Sequence, residues 1–224
     1  RTKKRARRNF DNDPVIAKFE YVPTINNVDP RFWSRTTYRR FRGMASKEIL
    51  CERRLNLVSY PHIQVYVEKL LSAVGLAKTV CYADSYYPAV VKEFYSNLSS
   101  GVFEEGNPKY GRVFLRGVTL DFTPKLINDY LCCPSPTEVD NVEPDLEILA
   151  LILTGKNNRF DGHSIKTSSL TLCASVLHKI ARFNWNPTKQ PSKVNKEMAI
   201  FLYRIMSSLP IDFGTHVFNL IKEF

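Results

Sequence analysis

What the sequence lacks narrows its chemistry first. No apolar run approaches the roughly 18 residues that a membrane span needs, so no span is expected in these 224 residues. The nine glycines are scattered. Neither the GxxxxGKS/T nor the GxGxxG pattern occurs, which removes the glycine-rich phosphate cradles. His62, His163, His178 and His216 show no HxxxH spacing. Cys51, Cys81, Cys132, Cys133 and Cys173 form no CxxC pair, so neither a metal site nor a cofactor is expected. An odd cysteine count without an apolar leader reads as reduced thiols, mostly buried as small hydrophobes.

Catalytic constellations are equally scarce. A two-metal nuclease or strand-transfer site needs three carboxylates converging on a rigid scaffold. Glu104, Glu105, Asp140 and Asp145 fall in or beside predicted loops, and only Asp121 lies on a predicted strand. Cys132 and Cys133 follow a predicted helix C-terminus, whose dipole works against an anionic nucleophile. No catalytic residue is assigned, and the chain reads as non-enzymatic.

What is present is a cationic leader on a near-neutral body. Residues 1–54 hold 15 of the 32 Lys and Arg but only 6 of the 22 Asp and Glu. Nearly all of the +10 net charge therefore sits in that quarter of the chain. The hydrophobic fraction of 44% and charged fraction of 24% are those of a globular protein, so the body can fold. Residues 1–30 are expected to form a basic, disordered arm, because Asn, Asp and Pro clusters follow the charged octet. Residues 31–224 are expected to form a single domain.

The body reads as mainly α: an irregular helical domain of about seven to nine helices with one short β-hairpin near 112–122. In residues 31–54 arginines interleave with Phe32, Trp33, Tyr38 and Phe41. The first half of that stretch is expected to be helical up to Gly43, with Ser46 capping a second short helix. Pro61 and Pro88 suit first helical positions. The helix after Pro88 is expected to bury Val91, Phe94, Tyr95 and Leu98. Arg116-Gly117 separates two alternating strands at hairpin length. Thr123-Pro124 then opens a helix. Its Leu126, Ile127 and Tyr130 are expected to pack with Phe122 at the centre of the body.

A helix over Asp145–Leu153 should close at Gly155, with 156–166 a loop turning at Asp161-Gly162. A helix from about Ser168 presents Leu170, Cys173, Leu177 and Ile180, and 184–194 is expected to be a connector. Asn195 and Asp212 are expected to cap the last two helices. The final one ends on the apolar pair Ile221 and Phe224, so further helical sequence is expected beyond it.

Several segments resemble a known family. Val91-Lys92-Glu93-Phe94-Tyr95-Ser96-Asn97-Leu98 is similar to the V-x-E-F-Y-x-N-L helix of the "putative plant transposon protein" domain. The stretch from Arg116-Gly117 through Phe122-Thr123-Pro124 to Leu131 resembles its hairpin and following helix. Met198 to Tyr203 and Leu209 to Gly214 resemble its last two helices. The leader ending in Glu52-Arg53-Arg54 also fits, so the likeness covers about residues 31–224.

That family occurs in plant retrotransposons, including the envelope-like reading frame of Athila-type elements. Its motifs are structural, and the resemblance carries no catalytic residue. Where the family often has Leu-Gly-x-Pro after the hairpin helix, this chain has Leu131-Cys132-Cys133-Pro134. Glycine supplies a left-handed exit there, so the cysteine is expected to leave the helix another way.

The resulting expectation is a transposable-element-derived binding or assembly domain in a nuclear or nucleic-acid setting. Lys3, Lys4, Arg5, Arg7 and Arg8 have the form of a short import signal and suit non-specific phosphate contacts with DNA or RNA. Arg31, Arg35, Arg39, Arg40 and Arg42 are secondary nucleic-acid candidates. The competing reading of that second group has the aromatic rings docked on the body and the arginines facing water. Protein partners or self-association remain open. A transposase or integrase would instead bring three carboxylates together on strands, and an envelope-like structural protein would add a membrane span.

Overall fold

Most helix starts among the described residues are set by short polar side chains. Six helices open on a side chain that accepts a hydrogen bond from the first-turn backbone: Ser34, Thr123, Asp145, Thr171, Asn195 and Asp212. Each satisfies an amide that the helix cannot pair internally, which stabilises the start by about 1 kcal/mol. The computed structural model describes residues 31–49, 61–81, 86–136, 144–156, 162–187 and 192–223.

In chain order come α1 (Arg35–Met44), α2 (Pro61–Ala73), α3 (Lys78–Cys81) and α4 (Pro88–Asn97). A hairpin follows, with β1 (Arg112–Leu115) antiparallel to β2 (Val118–Asp121). Next are α5 (Pro124–Leu131), α6 (Leu146–Thr154), β3 (Ser164–Lys166) and α7 (Leu172–Ile180). The chain ends with β4 (Lys193–Asn195), α8 (Lys196–Met206) and α9 (Phe213–Lys222). The protein is mainly α, with a two-stranded β1–β2 sheet as expected. A second sheet pairs β3 with β4 antiparallel, Ile165 opposite Val194, where a loop and a connector were expected.

The chain divides into two compact units. The first holds the described residues 31–49 and 86–121, and the second holds the described residues from 61–81 and 122–223.

The second unit has the larger apolar core. Val67, Leu71 and Leu76 meet Leu149, Leu153, Leu177, Leu202 and Ile205, all with negligible exposure. Burying one such side chain stabilises the fold by about 1.5–3 kcal/mol. Trp185 is buried in the same core and donates its indole N–H to Thr79 Oγ1 at 2.8 Å. Its ring lies edge-on to Phe201 at 5.6 Å. A π-helical turn, Ala181–Trp185, extends α7 and delivers that indole inward.

α5 and α9 are tied by a polar node rather than by the expected apolar cluster. Asn128 is buried, donates to Asp212 Oδ1 at 2.8 Å and accepts from Gly214 N at 2.6 Å. A β-carbon at Gly214 would collide with the Pro124 carbonyl and the Asn128 side chain, so the helices approach closely only at a glycine. Burial alone would push the Asp212 carboxyl up. Hydrogen bonds from Thr215, Asn128 and Gly214 outweigh it and hold the carboxyl below its usual value.

Four local expectations are corrected. Tyr130 is 83% exposed and Leu126 is exposed, while Phe122 is half-buried against Phe218 at 5.4 Å. The inward residue of α5 is Asn128. Residues 47–49 are not helical, so Ser46 opens no helix among the described residues. α7 starts at Leu172 with Thr171 as its cap, after a 3-10 turn over Thr167–Ser169. Cys132 takes the left-handed exit itself, at φ 54°, with its N–H directed to the Asn128 and Asp129 carbonyls. Those hydrogen bonds impose on a cysteine the conformation that favours glycine.

Candidate nucleic-acid interface

The first unit is assembled around a helix whose polar face points inward. On α4 the fully buried residues are Glu93, Ser96 and Asn97, whereas Val91, Phe94, Tyr95 and Leu98 are half-buried. Asn97 Nδ2 donates to the Arg31 carbonyl at 2.8 Å and to the Phe114 carbonyl at 3.0 Å. One amide thus joins the segment before α1 to β1. Glu93 Oε1 accepts from the Arg116 backbone N–H at 2.6 Å, and Glu93 Oε2 lies 3.4 Å from Arg116 Nε.

Arg116 and Gly117 form the hairpin turn at φ 53° and 82°. Two consecutive positive φ values match the twist of a tight hairpin, but a non-glycine residue adopts them at a cost. The buried carboxylate offsets that cost by accepting the Arg116 backbone N–H and by pairing with its guanidinium charge.

This frame positions the basic helix. Ser34 and Thr37 form a reciprocal capping box at the start of α1. Phe32 is buried, 5.5 Å from the Tyr38 ring and 5.1 Å from the Phe41 ring. Trp33 rests on Phe114 at 4.8 Å and remains 45% exposed, with Lys109 Nζ 5.3 Å from its ring centre.

The five candidate arginines separate into two sets. Arg31 lies over the Phe32 and Phe41 rings at 5.5 and 5.7 Å, and Arg40 donates to the Leu98 carbonyl at 2.9 Å. Both are turned back onto their own unit. Arg35, Arg39 and Arg42 are exposed and recur at i, i+4 and i+7, so they share one helix face. α1 contains no acidic residue, so nothing on the helix neutralises that face. Phe32 and Phe41 thus pack within the unit, while Arg35, Arg39 and Arg42 face outward. Lys3, Lys4, Arg5, Arg7 and Arg8 lie outside the described residues.

Sequence reasoning missed the Glu93–Asn97 face, although both residues stand four apart in the quoted helix motif. Apolar spacing directed attention to the other side of α4. The signal was a Glu and an Asn at i and i+4 on one helix, each able to satisfy backbone groups.

Glu104, Glu105 and Asp121 are exposed, and Asp145 caps α6 through Glu147 N at 2.7 Å. Asp140 and Cys51 lie outside the described residues. No His, Cys, Asp and Glu cluster among the described residues is arranged to hold a metal ion, and no described helix is long and apolar enough to cross a membrane. Burial pushes the Cys133 and Cys173 thiols up to about 11. His178 and His216 are pushed down by burial, His216 to about 4. The Nε2 atoms of both histidines are buried without a hydrogen-bond partner among the described residues.

Compared with known proteins, the sequence matches the family model described as "Putative plant retrotransposon-related domain" over residues 72–224. The match includes α4, the hairpin and the helices after it. It begins after the basic leader and α1. No curated protein and no solved structure matches the chain.

Proposed function

Since the chain belongs to the plant retrotransposon-related domain family, we propose that it serves a mobile-element protein as a non-enzymatic binding or assembly domain. On this reading it works in the nucleus and holds nucleic acid through its basic leader. The arm around Lys3, Lys4, Arg5, Arg7 and Arg8 supplies phosphate contacts and import. Arg35, Arg39 and Arg42 supply a second row of contacts. The carrying observation is their exposed placement on one face of α1, a helix that contains no acidic residue. Such a row attracts a phosphate backbone without reading its sequence.

The test is titration of the chain with mixed-sequence DNA and RNA oligonucleotides across salt. With about six phosphate contacts, affinity should fall roughly thousandfold between 50 and 200 mM salt. Deleting residues 1–8 should remove most of that slope, and R35Q/R39Q/R42Q in the deleted chain should remove the remainder. Absence of binding at 50 mM, or one slope shared by all three proteins, would overturn the reading. Import is tested separately by fusing residues 1–8 to a reporter.

A further inference from the structure

Among the described residues outside the basic leader, a lysine and a cysteine stand at hydrogen-bonding distance. Lys78 is the first residue of α3, and its Nζ lies 2.6 Å from the Cys132 sulfur. Cys132 is exposed and occupies the left-handed turn that ends α5. Both carriers are fixed. A β-carbon at Gly75 would collide with the Pro134 ring, so the chain just before Lys78 lies directly against the chain just after Cys132. On the α3 side, Thr79 is buried and bonds to the Leu76 carbonyl at 2.7 Å while accepting from Trp185 at 2.8 Å. On the α5 side, Cys133 N–H donates to the Asn128 carbonyl at 2.9 Å.

We propose that Lys78 and Cys132 form an oxidant-closed covalent lock, in which a hydroperoxide converts the thiol and amine into a sulfur–nitrogen crosslink between α3 and the end of α5. In the first step sulfur attacks one peroxide oxygen, the O–O bond breaks, and a sulfenic acid and water result. In the second step the deprotonated Lys78 amine attacks that sulfur. The S–N bond forms, the S–O bond breaks, and the hydroxyl leaves as water with a proton from nitrogen. One thiol, one amine and one hydrogen peroxide thus give one S–N bond and two waters, with sulfur losing the two electrons that reduce the peroxide. Lysine's flexible stem closes the gap without backbone movement.

The neighbouring thiol is the natural competitor, and geometry works against it. Adjacent Cα atoms stand about 3.8 Å apart across a trans peptide, shorter than the roughly 4.4–6.8 Å usual for a disulfide. Cys133 is also buried, and burial together with Cys132 keeps it as a thiol with its pKa at about 11, against the opposing pull of Lys78. Protonated and enclosed, it attacks a sulfenic acid poorly.

The experiment treats the full chain with hydrogen peroxide, digests it with trypsin without reductant, and maps the products by mass spectrometry. Cleavage after Lys78 should be lost. The Lys78 and Cys132 peptides should appear joined, about 2 Da lighter than their sum, and dithiothreitol should separate them. K78R and C132S should each abolish the joined species, while C133S should leave it intact. In K78R, dimedone should trap the sulfenic acid on Cys132, which keeps the first step testable apart from the second. A 2 Da loss confined to the peptide holding both cysteines would overturn the proposal in favour of a vicinal disulfide. Cys132 passing directly to sulfinic acid, or remaining unoxidised while cleavage after Lys78 persists, would overturn it as well.

Discussion

The two units reach order by different means. The second buries a broad set of leucines, valines and aromatic rings in one core, so its stability is spread over many contacts. The first buries a carboxylate and an amide on α4 and uses them to tie the segment before α1, β1 and the hairpin turn together. A broad apolar core loses stability in proportion to the atoms removed. A polar latch fails as a whole, because each partner left behind is a buried group without water.

The sharpest break in that comparison is Glu93→Ala. It should cost the first unit about 3–5 kcal/mol, because a buried charge partner and the acceptor of the left-handed Arg116 disappear together. Amide exchange would accelerate across 93–97 and 113–116 while α8 stays protected. If α4 exchanges no faster than in the parent, the latch does not hold the unit.

A pH titration comes next in size. All four histidines belong to the second unit, and burial favours the neutral forms of His178 and His216. A histidine whose folded pKa is lowered binds its proton more readily in the unfolded chain. Stability is therefore full above about 6.5 and declines as pH falls toward about 4. For His216 the loss is up to ~3 kcal/mol. His216→Phe should flatten the slope in denaturant melts followed by Trp185. An unchanged slope would assign it elsewhere, with His178 beside Arg182 the next residue to test.

Trp185→Phe should cost the second unit about 1–2 kcal/mol, since the Thr79 hydroxyl loses its donor while most ring packing is kept. Calorimetry of the single variant measures it. The smallest change should follow Tyr130→Ala. At 83% exposure it should shift stability by less than about 0.5 kcal/mol. A loss of several kcal/mol would restore the apolar centre expected around Phe122.

Helix boundaries were the most legible part of the fold. Thr123, Asn195 and Asp212 were read as caps and act as caps, because capping depends on residues within one turn. The β1–β2 hairpin was readable for the same local reason. The β3–β4 sheet was not, since three-residue strands separated by more than 25 positions carry little alternation. Leu126 and Tyr130 were spaced for burial, yet Asn128 faces inward because Asp212 and Gly214 offer it partners 84 and 86 residues away. In the candidate interface the sequence offers five arginines without separating them, and the structure sets Arg35, Arg39 and Arg42 apart from Arg31 and Arg40. The latch was not legible either, since polar burial is decided by distant backbone groups.

The interleaving of the two units also has a consequence for synthesis on the ribosome. The chain contributes to the first unit, then the second, then returns to each in turn. α2 emerges early with Val67, Leu70 and Leu71 on its apolar face, while Trp185 follows Thr79 by 106 residues. At about 5–20 residues per second, that delay lasts roughly 5–20 s. During it, α2 is a natural client for a chaperone that binds short apolar helices. No single cut in the chain separates one whole unit from the other, so any fragment that holds a whole unit also carries a piece of its neighbour.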